Sequence, residues 1–176
     1  MTCQNILKMG NKQLMTPSQS ILDLSTLQSS HFKNLIDDMH DTMQAKAGVG
    51  IAAPQIGHHL RVIMFGFEHN NRYPQEKPVP FTVLINPEYQ ILSEDIVDGW
   101  EGCLSVPGLR GLVGRHHQIA YTGYDLKGKL IKRIAEGFHA RIIQHECDHL
   151  DGVLFPYRVQ NMQFFGFEEM NVLKTS

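Results

Sequence analysis

Gln144-His145-Glu146-Cys147-Asp148-His149-Leu150-Asp151-Gly152 is the stretch from which the fold is read outward. It contains H-E-x-x-H. On a helix, residues four apart share a face, so His145 and His149 can turn two imidazoles toward one metal ion. Glu146 follows the first of them, where a carboxylate can reach a metal-activated water as general base. The flanks predict a helix: Gly137 precedes the segment, and Gly152 stands where helices often end in the left-handed conformation. Between them Phe138, Ile142, His145 and His149 form one stripe at helical spacing, and Ile143, Cys147 and Leu150 a second apolar line. Arg141, Gln144, Asp148 and Asp151 form a narrow polar line. A helix apolar on most of its circumference is a buried one, so the ligands are expected inside the fold, held by packing. Were these merely two core histidines, Glu146 would be a buried charge without a partner, which is costly.

At 176 residues the chain is long enough for a sizeable core and is read as one domain over 1–176. A net charge of −2 gives no electrostatic reason to expect a nucleic acid or an anionic membrane as partner. Three cysteines cannot all pair, and free thiols point to a reducing compartment. No apolar run reaches the length of a bilayer span. The first ten residues lack the layout of a signal peptide and the arginines of a transit peptide. A cytoplasmic protein is expected, or an organellar one after removal of a transit peptide. A monomer is the favoured assembly.

Residues 1–26 alternate short apolar runs with turn formers and predict an irregular wrap. Phe32, Leu35, Ile36, Met39 and Met43 repeat at helical spacing, predicting a helix from Ser29 or Ser30 to a stop at Gly48. Gly48 to Gly57 carries three glycines and two alanines, which lets another backbone approach closely. It matches neither a phosphate loop nor a dinucleotide fingerprint. Leu60 to Phe67 reads as a buried strand, Glu68 to Pro80 as an exposed loop, and Phe81 to Ile85 as a strand stopped by Asn86-Pro87. Tyr89 to Val97 predicts another strand and 98–115 a loop. His117 to Asp125 and Leu130 to Ala135 predict a hairpin turning at Lys127-Gly128. The tail from Val153 is expected to be irregular or weakly helical, covering apolar surface with its phenylalanines. Runs of strands beside a few separate helices indicate α+β: antiparallel β-strands packed around a buried helix, in the C-terminal half, that carries H-E-x-x-H.

A catalytic metal site typically has three protein ligands and an open position. The longer protease pattern H-E-x-x-H-x-x-G-x-x-H would require histidine at 155, where the chain has Phe155. Glu169, from a segment after the helix, would complete the site of a zinc peptidase. Cys103, in Trp100-Glu101-Gly102-Cys103-Leu104-Ser105-Val106-Pro107-Gly108, is a third candidate, although a lone cysteine is more often a small buried hydrophobe. Cys147 points in a direction different from both histidines. A structural zinc module with a fourth ligand is the reading from another class. The residues themselves leave these options open.

Three separated segments together resemble the peptide deformylases. Gly48 to Gln55 matches that family's G-x-G-x-A-A-x-Q segment, Glu101 to Ser105 its E-G-C-x-S segment, and Gln144 to His149 its Q-H-E-x-D-H segment, in the same order. The likeness spans roughly residues 5 to 160. It implies a hydrolase that removes the formyl group from formylmethionine at the start of nascent polypeptides, with the ribosome as the place where it would meet them. It also implies Cys103, His145 and His149 as metal ligands. The implied metal is Fe2+, for which Zn2+, Ni2+ or Co2+ can substitute. Glu146 becomes the general base and then acid, and the Gln55 amide and Leu104 N–H the oxyanion donors. The family binds its peptide as an added strand, here along Val49, Gly50 and Gly102. Phe138 and Ile142, with Gly50 and His145, would build the methionine pocket. Glu101 is expected to pair with Arg115 and brace the cysteine segment, and Arg110 to stand near the substrate mouth.

Overall fold

The computed structural model describes residues 3–170. Its first long element, α1, runs Ser30–Ala45, and the Ser29 side chain caps it by accepting from the Phe32 N–H. Phe32, Leu35, Met39 and Met43 are buried along one face. The chain leaves α1 through Ala47, at φ +49°, one residue before the expected glycine stop. Then come β1 (Gly50–Ala52), a short 3-10 turn at Ala53–Ile56, β2 (Val62–Phe67) and β3 (Val79–Ile91). They are followed by β4 (Ile96–Cys103), β5 (Val106–His116), β6 (Gln118–Tyr124) and β7 (Leu130–Glu136). The helix α2 (Gly137–Leu150) is next, and β8 (Phe165–Phe167) lies in the tail.

Two antiparallel sheets result. The larger has the order β1-β2-β3-β6-β7 and the smaller β4-β5-β8. The near-continuous apolar run of β2 follows from its position between two helices. Val62 and Met64 join the cluster under α1, whereas Ile63 and Phe65 join the cluster under α2. Successive strand side chains point to opposite faces, so a strand buried on both sides loses its polar alternation. On the α2 side, Ala140, Ile143, Cys147 and Leu150 meet Leu84, Ile119 and Tyr121. Beneath the smaller sheet, Leu14, Val106, Val113, Leu154 and Phe155 gather around Cys103.

Gly137 and Gly152 bracket α2 with φ of +57° and +75°. A side chain at Gly152 would also strike the Met15 backbone, so both conformation and space favour glycine there.

Three expectations about strands are corrected. Tyr89 to Val97 is not one strand: Tyr89 and Ile91 belong to the end of β3, and Ile96 and Val97 begin β4. Asn86-Pro87 does not stop a strand: β3 passes through it, with a register shift between Ile85 and Glu88. Asn86 takes φ +48° and its amide bonds both the N–H and the carbonyl of Ile21. The distant segment thus stabilises a bulge where local chemistry suggested an end. The stretch 98–115 is not a loop either. It is the β4–β5 hairpin, paired from Ile96↔His116 to Cys103↔Val106. Glycines at 99, 102, 108, 111 and 114 remove the side chains by which alternation would be recognised. The tail contributes β8, paired with Leu109–Gly111, beyond its expected irregular turns.

Candidate metal centre

The centre lies where the edges of both sheets approach α2. The β4–β5 turn delivers Cys103, and successive turns of α2 deliver His145 and His149. One ligand atom from each of these three lies within 4.8 Å of the others, and all three residues are buried. Cys103 Sγ is 3.2 Å from His149 Nε2. His145 Nδ1 sits 2.8 Å from Glu101 Oε2, which leaves Nε2 as the nitrogen free for a ligand role. A carboxylate behind a ligating histidine fixes its tautomer and ring direction. A thiolate with two imidazoles suits borderline divalent metals, so the residues present fit a metal. Glu169 is exposed and outside this group. Among the described residues no fourth ligand joins the three, as a closed structural zinc site would need.

The electrostatics agree with a ligand set. Burial alone would push the Cys103 thiol up; the rings of His149 and His145 outweigh it and hold the thiol well below its ordinary value. For His145 burial favours the neutral ring, but hydrogen bonds to Cys103 and Glu101 hold it well above its usual range. Glu146 has no such support. Burial pushes its carboxyl up to about 7, against the pull of both histidines, and its Oε2 is buried without a protein partner. Gly50 stands directly opposite; a Cβ there would run into the Glu146 carboxylate.

Gln55 is also buried and directed. Its Oε1 accepts from the Ala52 N–H at 2.9 Å, which turns Nε2 toward Ser105 Oγ (3.1 Å) and Cys103 Sγ (3.5 Å). Leu104 occupies the β4–β5 turn at the lip of the same cavity. That cavity is lined by Val49 and Gly50 on one side, Gly102 on the other, and Phe138 and Ile142 on α2. β1 is the edge of the larger sheet and β4 the edge of the smaller. Two strand edges therefore face one slot, an arrangement that accepts an extended peptide.

Behind the ligands is an ion cluster of which the sequence reading contained one pair. Arg115 holds Glu101 through Nε (2.8 Å) and Nη2 (3.0 Å), and reaches Asp148 Oδ2 at 2.6 Å. Arg141 adds a contact to Glu101 Oε1 at 2.9 Å and bonds the carbonyls of Val113 and Val97. Arg158 closes on Asp148 from outside, at 2.7 Å. Burial would raise the Glu101 carboxyl, but Arg115 and His145 hold it far below the carboxylate range. The polar line of α2 is thus turned inward, with Arg141, Gln144 and Asp148 buried. Arg110 does not line the cavity. It stacks on Tyr73, 5.1 Å from the ring centre, and its Nε lies 2.9 Å from Glu168 without the alignment of a hydrogen bond. Tyr73 does line the cavity, and its ring lies 4.6 Å from that of Phe138. Arg72, Tyr73 and Trp100, which also line it, carried no motif by which they could have been singled out.

A thiolate and two imidazoles placed where they could hold a metal, a buried carboxylate and a slot between two strand edges fit a metal-dependent amide hydrolase. The chain belongs to the polypeptide deformylase family, whose family model matches residues 3–164. It is 55% identical over 165 residues to peptide deformylase 2 of Ralstonia nicotianae, covering 94% of this chain and 92% of that one. Peptide deformylase 1 of Bordetella pertussis is 52% identical over 165 residues, with 94% and 92% covered. Among solved structures, the Met-Ala-Ser-bound class I type b peptide deformylase from Acinetobacter baumannii superposes with a TM-score of 0.86. That protein is 38% identical, with 90% of this chain and 99% of that chain covered. The family is metal-dependent and removes the formyl group from nascent polypeptides, and this is the activity of the chain.

Proposed function

We propose that the residues gathered at the slot divide the deformylation reaction as follows. The observation that carries the reading is the convergence of Cys103, His145 and His149 beside an unpartnered, buried Glu146. Fe2+, or Zn2+, Ni2+ or Co2+ in its place, would be held by those three ligands and would supply Lewis acidity and an acidified water. Glu146 takes up the proton released as water attacks the formyl carbon, then delivers it to the departing amine. The C–N bond breaks, and the products are formate and a free N-terminal methionine. Gln55 Nε2, already aimed by the Ala52 N–H, and the Leu104 N–H donate to the developing oxyanion. Val49, Gly50 and Gly102 pair with the peptide backbone, while Phe138 and Ile142 enclose the methionine side chain. Backbone pairing tolerates varied sequences beyond the first residue.

The working form is a monomer in the cytoplasm that meets nascent chains as they leave the ribosome. The three cysteines, free of disulfides, support a reducing compartment. No described helix is long and apolar enough to cross a membrane. The test is an anaerobic assay on formyl-Met-Ala-Ser and its acetyl counterpart, with metal analysis of the same sample. Release of formate alone, with about one metal per chain, is the expected result. A Cys103→Ser variant that kept both metal and activity would overturn the ligand set.

A further inference from the structure

The chain has seven arginines. Six engage an acceptor: Arg61 with Asp151, Arg110 with Glu168, Arg115 with Glu101 and Asp148, Arg133 with Thr82, Arg141 with Glu101, and Arg158 with Asp148. Arg72 is the exception. Its backbone N–H bonds the Asn70 side chain, but among the described residues its guanidinium has no hydrogen bond, ion pair or ring contact. It is half-buried and lines the reaction slot.

Its position is defined by Gly102. A Cβ built on Gly102 would lie 3.0 Å from Arg72 Nη2, so the guanidinium sits over the strand edge that faces the slot. The carboxylates in reach of the slot are already committed. Glu101 is shared by Arg115, Arg141 and His145, Glu168 faces Arg110, and Glu146 is buried beside the metal ligands. Over this edge of the slot the Arg72 guanidinium is therefore a positive charge that no described carboxylate offsets, on a side chain with five donors and no acceptor. Formylation has removed the positive charge from the substrate's own N-terminus, so the substrate brings no ammonium there to repel the guanidinium.

We propose that Arg72 is a specificity residue that recognises an acidic side chain one or two residues downstream of formylmethionine. The inference rests on Gly102 being part of the peptide-binding edge. A carboxylate entering here would meet a planar fork suited to bidentate pairing. At a half-buried site the gain is that of a partly exposed pair, and it is screened by salt.

The experiment uses the metal-loaded full chain and C-terminally amidated peptides, so that no terminal carboxylate competes. Formyl-Met-Ala-Ser amide is the reference, with aspartate or lysine placed in turn at the second and third positions. In the unmodified enzyme kcat/KM for the aspartate peptide is expected to exceed that for its lysine partner by about two- to five-fold at one position. The ratio should fall to near one in Arg72→Ala, invert in Arg72→Glu, and shrink in 0.5 M salt, a concentration chosen for strong screening, of order a few ångströms in Debye length. Each ratio is taken within one protein, so a general loss of activity cancels. If the reference is hydrolysed but the unmodified enzyme shows no charge preference, or if Arg72→Ala retains it, the inference is overturned and the deformylase reading stands. If the unmodified enzyme releases no formate from any peptide, the reading beneath it falls as well.

Discussion

Glu101 Oε2 lies 2.8 Å from Nδ1 of His145, across 44 residues of sequence. Through this contact a strand residue sets the direction of a helix imidazole. The same carboxylate is gripped by Arg115 and Arg141, so the orientation of the imidazole is referred to both sheet and helix. The candidate metal centre therefore rests on a buried ion cluster.

Glu101→Gln is expected to leave the buried Arg141 guanidinium without its anion and Arg115 with Asp148 alone. Breaking a buried pair in this way costs about 3–5 kcal/mol, and loss of a partner behind a ligand typically weakens metal binding about 10–100-fold. Urea unfolding and metal titration of the same variant measure both. The acid side of the stability profile gives an independent sign. Glu101 is held below the carboxylate range in the folded state. Its contribution is therefore full above the unfolded value of about 4.3 and is lost as pH falls further. The unmodified protein should lose stability steeply in that acidic window, and Glu101→Gln more gently.

Gly99→Ala tests the same cluster by crowding it. A Cβ at Gly99 would come within 2.7 Å of the Arg141 guanidinium. That side chain cannot retreat without loosening its bonds to Val97, Val113 and Glu101. Overpacking of this kind costs about 1–3 kcal/mol. In a double-mutant cycle with Arg141→Met the penalty should shrink, because a flexible thioether can move aside. Additive effects would show that Gly99 acts elsewhere.

The difference between what was legible in the sequence and what was not follows the range of the interaction. Helix α2 was readable because its candidate ligands and base and its apolar stripes fall within one element. So was α1, with its serine cap. The β4–β5 hairpin was not: its strands alternate residues with glycines, and their order comes from pairing with each other and with β8. Asn86-Pro87 has the local chemistry of a stop, overruled by bonds to Ile21. The Glu101–Arg115 pair was expected only alongside the resemblance, as a brace for the cysteine segment. Arg141 and Asp148, on the narrow polar line of α2, could not be assigned to that cluster before the sheets were in place. Cys103 was one option among several until the resemblance singled it out.

Gln55→Ala separates oxyanion stabilisation from metal binding. The Gln55 amide contacts Ser105 and the ligand sulfur but offers no ligand of its own. Removing one preorganised donor typically costs about 10²–10³ in turnover, roughly 3 kcal/mol of barrier. Metal content should stay as in the unmodified enzyme, and kcat should fall far more than KM rises. Unchanged turnover would remove Gln55 from the mechanism.

Glu146→Gln should abolish turnover and yet stabilise the metal-stripped protein at alkaline pH. Burial pushes the Glu146 carboxyl up to about 7, against about 4.3 in an unfolded chain. The folded state therefore holds a proton that the unfolded state has given up between those values. The stability this contributes is full below about 4.3 and is lost as pH rises through about 7. The resulting alkaline penalty is on the order of 3 kcal/mol, and a neutral amide escapes it. Denaturant melts of metal-free Glu146→Gln and parent protein should nearly coincide at about pH 4 and separate at pH 8, the variant being the more stable. The comparison is made between two proteins with the same Cys103, His145 and His149, so titration of the ligands largely cancels. Adding Zn2+ should narrow the gap at pH 8, because a cation at those ligands favours the ionised carboxylate next to it. Equal stability at pH 8 in the stripped proteins would mean that the slot already solvates Glu146, and that burial is not what readies it as a base.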